Sequence, residues 1–182
     1  MCPNLSEKET IVQSLRIDAD THRILIEEAE SQNVSLNSLT SRILQDYAEY
    51  GRFANRYGTM RISPTTLTAL LNELSDETIE RVAQTLAKVR PRELLSSLGL
   101  DFIEQNAKRL IAEFLSRHHH WFEANVTTGE KTLTIHLRHH LNRKWSMFLS
   151  AHVSALFQEF GYKTVETNIG DYSVTLRLTR EN

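Results

Sequence analysis

Seven of the eight histidines stand beyond position 117: His118, His119, His120, His136, His139, His140 and His152. Neutral imidazole ligates nickel, zinc, copper and iron, so a transition metal ion is the cofactor such a cluster would take. Alternation along KTLTIHLRHH puts His136 and His140 on one face of a strand and His139 on the other, and three consecutive histidines cannot all reach one site. The candidate metal set is therefore His136, His140 and His120. His152 falls within the apolar stripe of a helix, where a hydrogen-bonded core histidine is the expected identity. The single cysteine, Cys2, excludes an intrachain disulfide and a multi-cysteine zinc site.

A second constellation lies near the N-terminus. In TIVQSLRI, Ile11, Leu15 and Ile17 share one face of an extended segment, while Thr10, Val12, Ser14 and Arg16 share the other. Arg16 could offer two donors to guanine, Ser14 could donate or accept, and Val12 could pack on a thymine methyl. Taken alone, Arg16 would read as a solvated arginine.

The sequence carries no nucleophile elbow, phosphate-cradling glycine loop or HExxH pattern, and its carboxylates are scattered over helical faces. No enzymatic activity is expected. A net charge of −2 is no basic signal, and the first 58 residues hold six Lys and Arg against nine Asp and Glu. DNA affinity would then have to come from local positive charge or from backbone amides. The apolar runs are too short to cross a bilayer and MCPNLSEKET lacks the core of a signal peptide, so a cytoplasmic chain with no membrane partner is expected.

These residues need elements to position them. After the segment at 10–17, Asp18 opens a helix through THRILIEEAESQN with a stripe of His22, Leu25, Ile26 and Ala29, and Asn33 suits its end. Ser35 caps a second helix carrying Leu36, Leu39, Ile43, Leu44, Tyr47 and Tyr50. One strand and two helices cannot close a core, because the lone strand leaves both edges unpaired. A second copy would be needed.

Strand, turn, helix, the VSLNSL junction and helix, running ungapped through LRIDADTHRILIEEAESQNVSLNSLTSRIL, resemble the ribbon-helix-helix DNA-binding regulators. That resemblance implies an obligate homodimer, or a higher homo-oligomer, whose two-stranded ribbon enters the major groove of double-stranded DNA through Thr10, Val12, Ser14 and Arg16. It also implies phosphate contacts at Ser35, Leu36 and Asn37, where a helix N-terminus offers free amides. Nickel sensors of this family use a histidine and cysteine ligand pattern that this chain lacks.

GRFANRYGTMRISP reads as a hinge, with Arg42, Arg52, Arg56 and Arg61 as either phosphate contacts or solvated charges. Three short helices follow, SPTTLTALLNEL, DETIERVAQTLAKV and, after Pro91, RELLSSLG. From Asp101 the order becomes helix, strand, strand, helix, strand, strand, with Leu133, Ile135 and Leu137 on one face of the second strand and Tyr172, Val174, Leu176 and Leu178 inward on the fourth. The predicted class is α+β: a ribbon-helix-helix domain (1–58), a helical connector (59–100) and a C-terminal sandwich with an antiparallel sheet (101–182) for sensing or oligomerisation. HLRHHLNRKWSMFLSAHVSALFQEFGY is similar to C-terminal domains of uncharacterised archaeal ribbon-helix-helix proteins, and that likeness implies no activity.

The expected function is sequence-specific transcription regulation, as a repressor. The alternative is a dimeric protein-interaction module, antitoxin-like or a scaffold, whose C-terminal domain binds a protein or a metal ion.

Overall fold

In the computed structural model, which describes residues 10–53 and 60–180, the chain forms two compact units, Met1–Gln45 and Asp46–Asn182. Cys2 and Arg56 lie outside the described residues.

The first unit holds two helices, α1 (Ala19–Ser31) and α2 (Leu36–Asp46). Asp18 caps α1 by accepting the Thr21 amide at 2.8 Å, and Asn33 takes the left-handed conformation (φ 53°) that lets the chain turn. Ser35 accepts the Ser38 amide at 3.1 Å. Ala29 and Leu39 are buried, and Leu25, Ile26 and Leu36 are half-buried.

The stretch from Thr10 to Ile17 is exposed and forms neither strand nor helix. The ribbon expected there is therefore absent from the described fold. Alternation prepares a segment to lie half-buried in a sheet, but a strand exists only where another backbone satisfies its N–H and C=O groups. All four described strands lie instead in the second unit.

That unit begins with the end of α2 and a π-helical turn, Tyr47–Gly51, and continues with α3 (Pro64–Asn72) and α4 (Asp76–Ser97). Ser63 and Ser75 cap these helices, accepting from Thr66 and Thr78, and Pro64 fills the first turn of α3, where its missing N–H costs nothing. The two helices expected on either side of Pro91 are one. Pro91 is buried inside α4, on the stripe Ile79, Ala83, Ala87, Pro91 and Leu94/Leu95, so the helix runs on through the proline while its core face stays covered. Gly99 ends the helix at φ 72°.

The α+β class holds. Helix α5 (Glu104–Arg109) continues as a π-helical segment, Leu110–His118, and is followed by β1 (Glu123–Thr128), β2 (Thr132–Arg138), α6 (Arg143–Gln158), β3 (Tyr162–Ile169) and β4 (Ser173–Arg180). The sheet is antiparallel throughout, in the order β1-β2-β4-β3. Leu133, Ile135 and Leu137 of β2 lie opposite Leu178, Leu176 and Val174 of β4 and point inward. They meet Leu149, Val153, Leu156 and Phe157 of α6 and Leu110, Ile111 and Phe114 of the π-helical segment, in a core that also takes in α4. Tyr172 precedes β4 and is 61% exposed rather than inward, because the β3–β4 turn is closed by Gly170 and Ser173.

The opposite face of the sheet is polar. Arg138 of β2 pairs with Glu123 of β1, its Nε at 3.0 Å, and Thr134, His136, Thr175 and Arg177 lie on the same side.

Candidate functional site

The residues expected to touch DNA are not carried on a strand. Thr10, Val12, Ser14 and Arg16 lie exposed along the irregular segment, so nothing aligns their side chains. Ser35 and Asn37 are exposed at the start of α2, and Leu36 is half-buried.

The histidines separate into three environments, none of them the expected metal set. His136 is on the polar face of β2, its Nδ1 sharing a 2.8 Å hydrogen bond with Thr175 Oγ1. His140 is exposed beyond the end of β2, and His120 is exposed at φ 54° after the π-helical segment. Among the described residues no three of His, Cys, Asp and Glu come together as a metal would require. The metal reading is corrected accordingly: alternation put His136 and His140 on one face, but β2 ends at Arg138, so the parity argument does not reach His140.

Two histidines are buried. His139 Nδ1 accepts the Leu141 amide at 3.3 Å, which leaves Nε2–H to donate to Ser146 Oγ at 2.8 Å. Burial, and then the neighbouring His140, push its pKa down to about 4. His152 sits within α6 as expected, its Nδ1 donating to the Ala83 carbonyl of α4 at 3.2 Å and its ring stacked on Phe148 with centroids 5.5 Å apart. Burial holds it at about 4, and the bond to Ala83 works weakly the other way. His118 and His119 form a third group with Tyr50. Tyr50 stacks on His118 at 4.8 Å and its hydroxyl bonds to His119 Nε2. Burial first, and then His118 and His120, bring His119 down to about 4. The three neutral imidazoles fasten elements to each other through their hydrogen bonds, His139 to Ser146, His152 to Ala83 and His119 to Tyr50.

The feature that sequence periodicity did not bring out is how little of the N-terminal apolar surface is covered. Ile24 is 61% exposed, Ile43 46% and Leu44 52%. Ile43 and Leu44 lie in α2 one turn beyond the buried Leu39. The stripe was readable as an apolar face, but whether anything covers such a face depends on the length and crossing of its neighbours.

No protein-family model matches the chain, and no curated protein matches it. Among solved structures, a trafficking protein particle complex subunit 3 from Naegleria fowleri, covalently bound to palmitic acid, is similar at 13% identity over 80% of this chain and 90% of that one, with a TM-score of 0.38. A likeness at that score carries no argument about this chain. The ribbon-helix-helix identification is overturned: the described fold has no N-terminal strand, its strands are C-terminal, and no model of that family matches. With it go transcription regulation, double-stranded DNA as partner, and the roles assigned to Arg16 and its neighbours. No helix among the described residues is long and apolar enough to cross a membrane.

Proposed function

We propose that this chain is a dimeric protein-interaction module, a scaffold whose N-terminal unit associates with a second copy and whose α+β domain receives another protein. The uncovered apolar surface of the N-terminal unit carries this reading. A two-helix unit that buries Ala29 and Leu39 while exposing Ile24, Ile43 and Leu44 has too little core to hold its helices by itself, since short helices in water depend on tertiary packing. Covering one isoleucine or leucine is worth roughly 1.5 to 3 kcal/mol, so pairing two such units contributes on the scale of a domain's net stability. A second copy presents the same apolar residues, as a two-fold interface requires.

The reading needs no cofactor and no catalytic activity, and it keeps the expectation of a cytoplasmic chain. Light scattering on the full chain during size-exclusion chromatography tests it. A dimer is expected, converted to monomer by Ile43→Glu with Leu44→Glu. A chain that runs as a monomer at every concentration, or a dimer indifferent to those two substitutions, overturns the proposal.

A further inference from the structure

The sheet has two outer strands, β1 and β3, and their edges differ. β3 carries the devices that keep an edge from pairing: a bulge between Thr164 and Glu166, and the charges of Lys163 and Glu166. β1 carries none of these between Ala124 and Thr128, where it pairs with β2 without a register shift and holds no charged residue and no proline.

The hairpin fixes which backbone groups of β1 look outward. Its closing bond runs from the Gly129 amide to the Thr132 carbonyl at 2.8 Å. In an antiparallel ladder bonded pairs alternate with unbonded ones, so on this register Thr127, Asn125 and Glu123 exchange bonds with Thr134, His136 and Arg138. The N–H and C=O groups of Ala124, Val126 and Thr128 therefore point away from β2, and they meet no backbone partner among the described residues. The side chains of Ala124 and Val126 pack on the core but are only half-buried, so the apolar interior also opens at this edge.

A specific dimer buries about 800 Å2 on each partner. The side chains that carry the dimer reading, Ile24, Ile43 and Leu44, stay well short of that, since even a large aromatic side chain buries at most about 250 Å2. A further strip of contact is needed, and an uncharged edge with free backbone groups is one that a second copy matches with its own.

We propose that β1 pairs antiparallel with β1 of a second copy about a two-fold axis at Val126, joining the two sheets into one. Val126 then lies opposite the second copy's Val126 and Ala124 opposite its Thr128, so every outward backbone group of both strands finds a partner. Glu123 faces the second copy's Gly129, so no like charges meet, and Asn125 faces its Thr127 on the polar side of the sheet. Centring the axis on Asn125 instead would leave the groups of Thr128 unpaired. The assignment rests on the reading of the chain as a dimer and names a second part of that contact.

The test uses the full chain. Val126→Pro removes one outward amide and leaves the bonds to β2 in place. Sedimentation over a dilution series should show its dimer dissociation constant raised by about tenfold or more. In a Cys2→Ser background, chains carrying Asn125→Cys and chains carrying Thr127→Cys should form a disulfide-linked dimer when mixed and oxidised, more efficiently than either does alone. That readout does not depend on how well the proline variant folds. In the wild-type dimer the amides of Ala124, Val126 and Thr128 should exchange with deuterium oxide as slowly as those of Asn125 and Thr127. An unchanged dissociation constant in a folded Val126→Pro variant, no excess cross-linking in the mixture, or fast exchange of the outward amides overturns the proposal. The Ile43→Glu, Leu44→Glu chain is measured in the same series: if it alone loses the dimer, the β1 contact fails and the N-terminal one stands, and if only Val126→Pro loses it, the reverse holds.

Discussion

His152 of α6 and Ala83 of α4 are joined by a 3.2 Å hydrogen bond from imidazole Nδ1 to the backbone carbonyl, deep between two helices of the C-terminal unit. A carbonyl only accepts, so the proton is on Nδ1, and the ring stays neutral so long as Nε2, beside Phe148 and Trp121, remains bare.

That neutrality makes the stability of the fold sensitive to acid. His119, His139 and His152 are all held at about 4, against about 6.5 for an unfolded chain. Between those values the unfolded state binds protons that the native state refuses, so stability is full above pH 6.5 and falls as pH drops toward 4. The loss is largest at the most enclosed of the three, His152, and smaller at His119 and His139. Urea midpoints measured across this range should decline in that window, and a flat profile would contradict the buried neutral assignments.

Replacing the histidine separates charge from packing. His152→Leu keeps an apolar filler on α6 and removes both the bond to Ala83 and the titration. It should cost about 1 kcal/mol at pH 7 and stabilise the protein relative to wild type below pH 5. Thermal melts at the two pH values give the comparison directly.

Ser146 is fully buried, and its hydroxyl is the acceptor for His139 Nε2–H. Ser146→Ala strands that donor away from water and should destabilise by roughly 1 to 3 kcal/mol. The double variant Ser146→Ala with His139→Leu should recover part of the loss. Chemical denaturation of the single and double variants is the measurement.

Leu39 is, with Ala29, one of two buried residues among those described in the N-terminal unit. Leu39→Ala should remove the contact between α1 and α2 at a cost of about 2 to 4 kcal/mol, which falls on this unit and not on the sheet domain. Limited proteolysis should then cut within residues 19–45 while leaving 60–180 resistant. A variant with unchanged cleavage would show that α1 and α2 are held by something other than each other.

Pro91 offers a test of the continuous helix. Its ring leaves the Ala87 carbonyl without its usual amide, a penalty of up to about 3 kcal/mol in a helix interior, partly offset by burial of the ring in the core. Pro91→Ala should therefore raise the melting temperature. A fall would mean that the ring's packing outweighs the restored bond.

The sequence by itself determined what depends on neighbours along the chain. The caps at Asp18 and Ser35 were readable because the bond closes over three residues. The alternation at Leu133, Ile135, Leu137 and at Val174, Leu176, Leu178 marked the inward face of two strands, and the stripe through Trp145, Leu149, Val153 and Leu156 marked the inward face of α6. Tertiary structure alone decided which of these local preparations found a partner. TIVQSLRI alternates as plainly as KTLTIHLR, yet only the second forms a strand, because pairing requires a backbone brought from far along the chain and loop closure has to favour it. Pro91 reads as a break until the core covers it, and the bond between His152 and Ala83 joins two helices that no spacing relates. Periodicity is a property of one segment, whereas burial and pairing belong to two, and that difference separates what was legible in this chain from what was not.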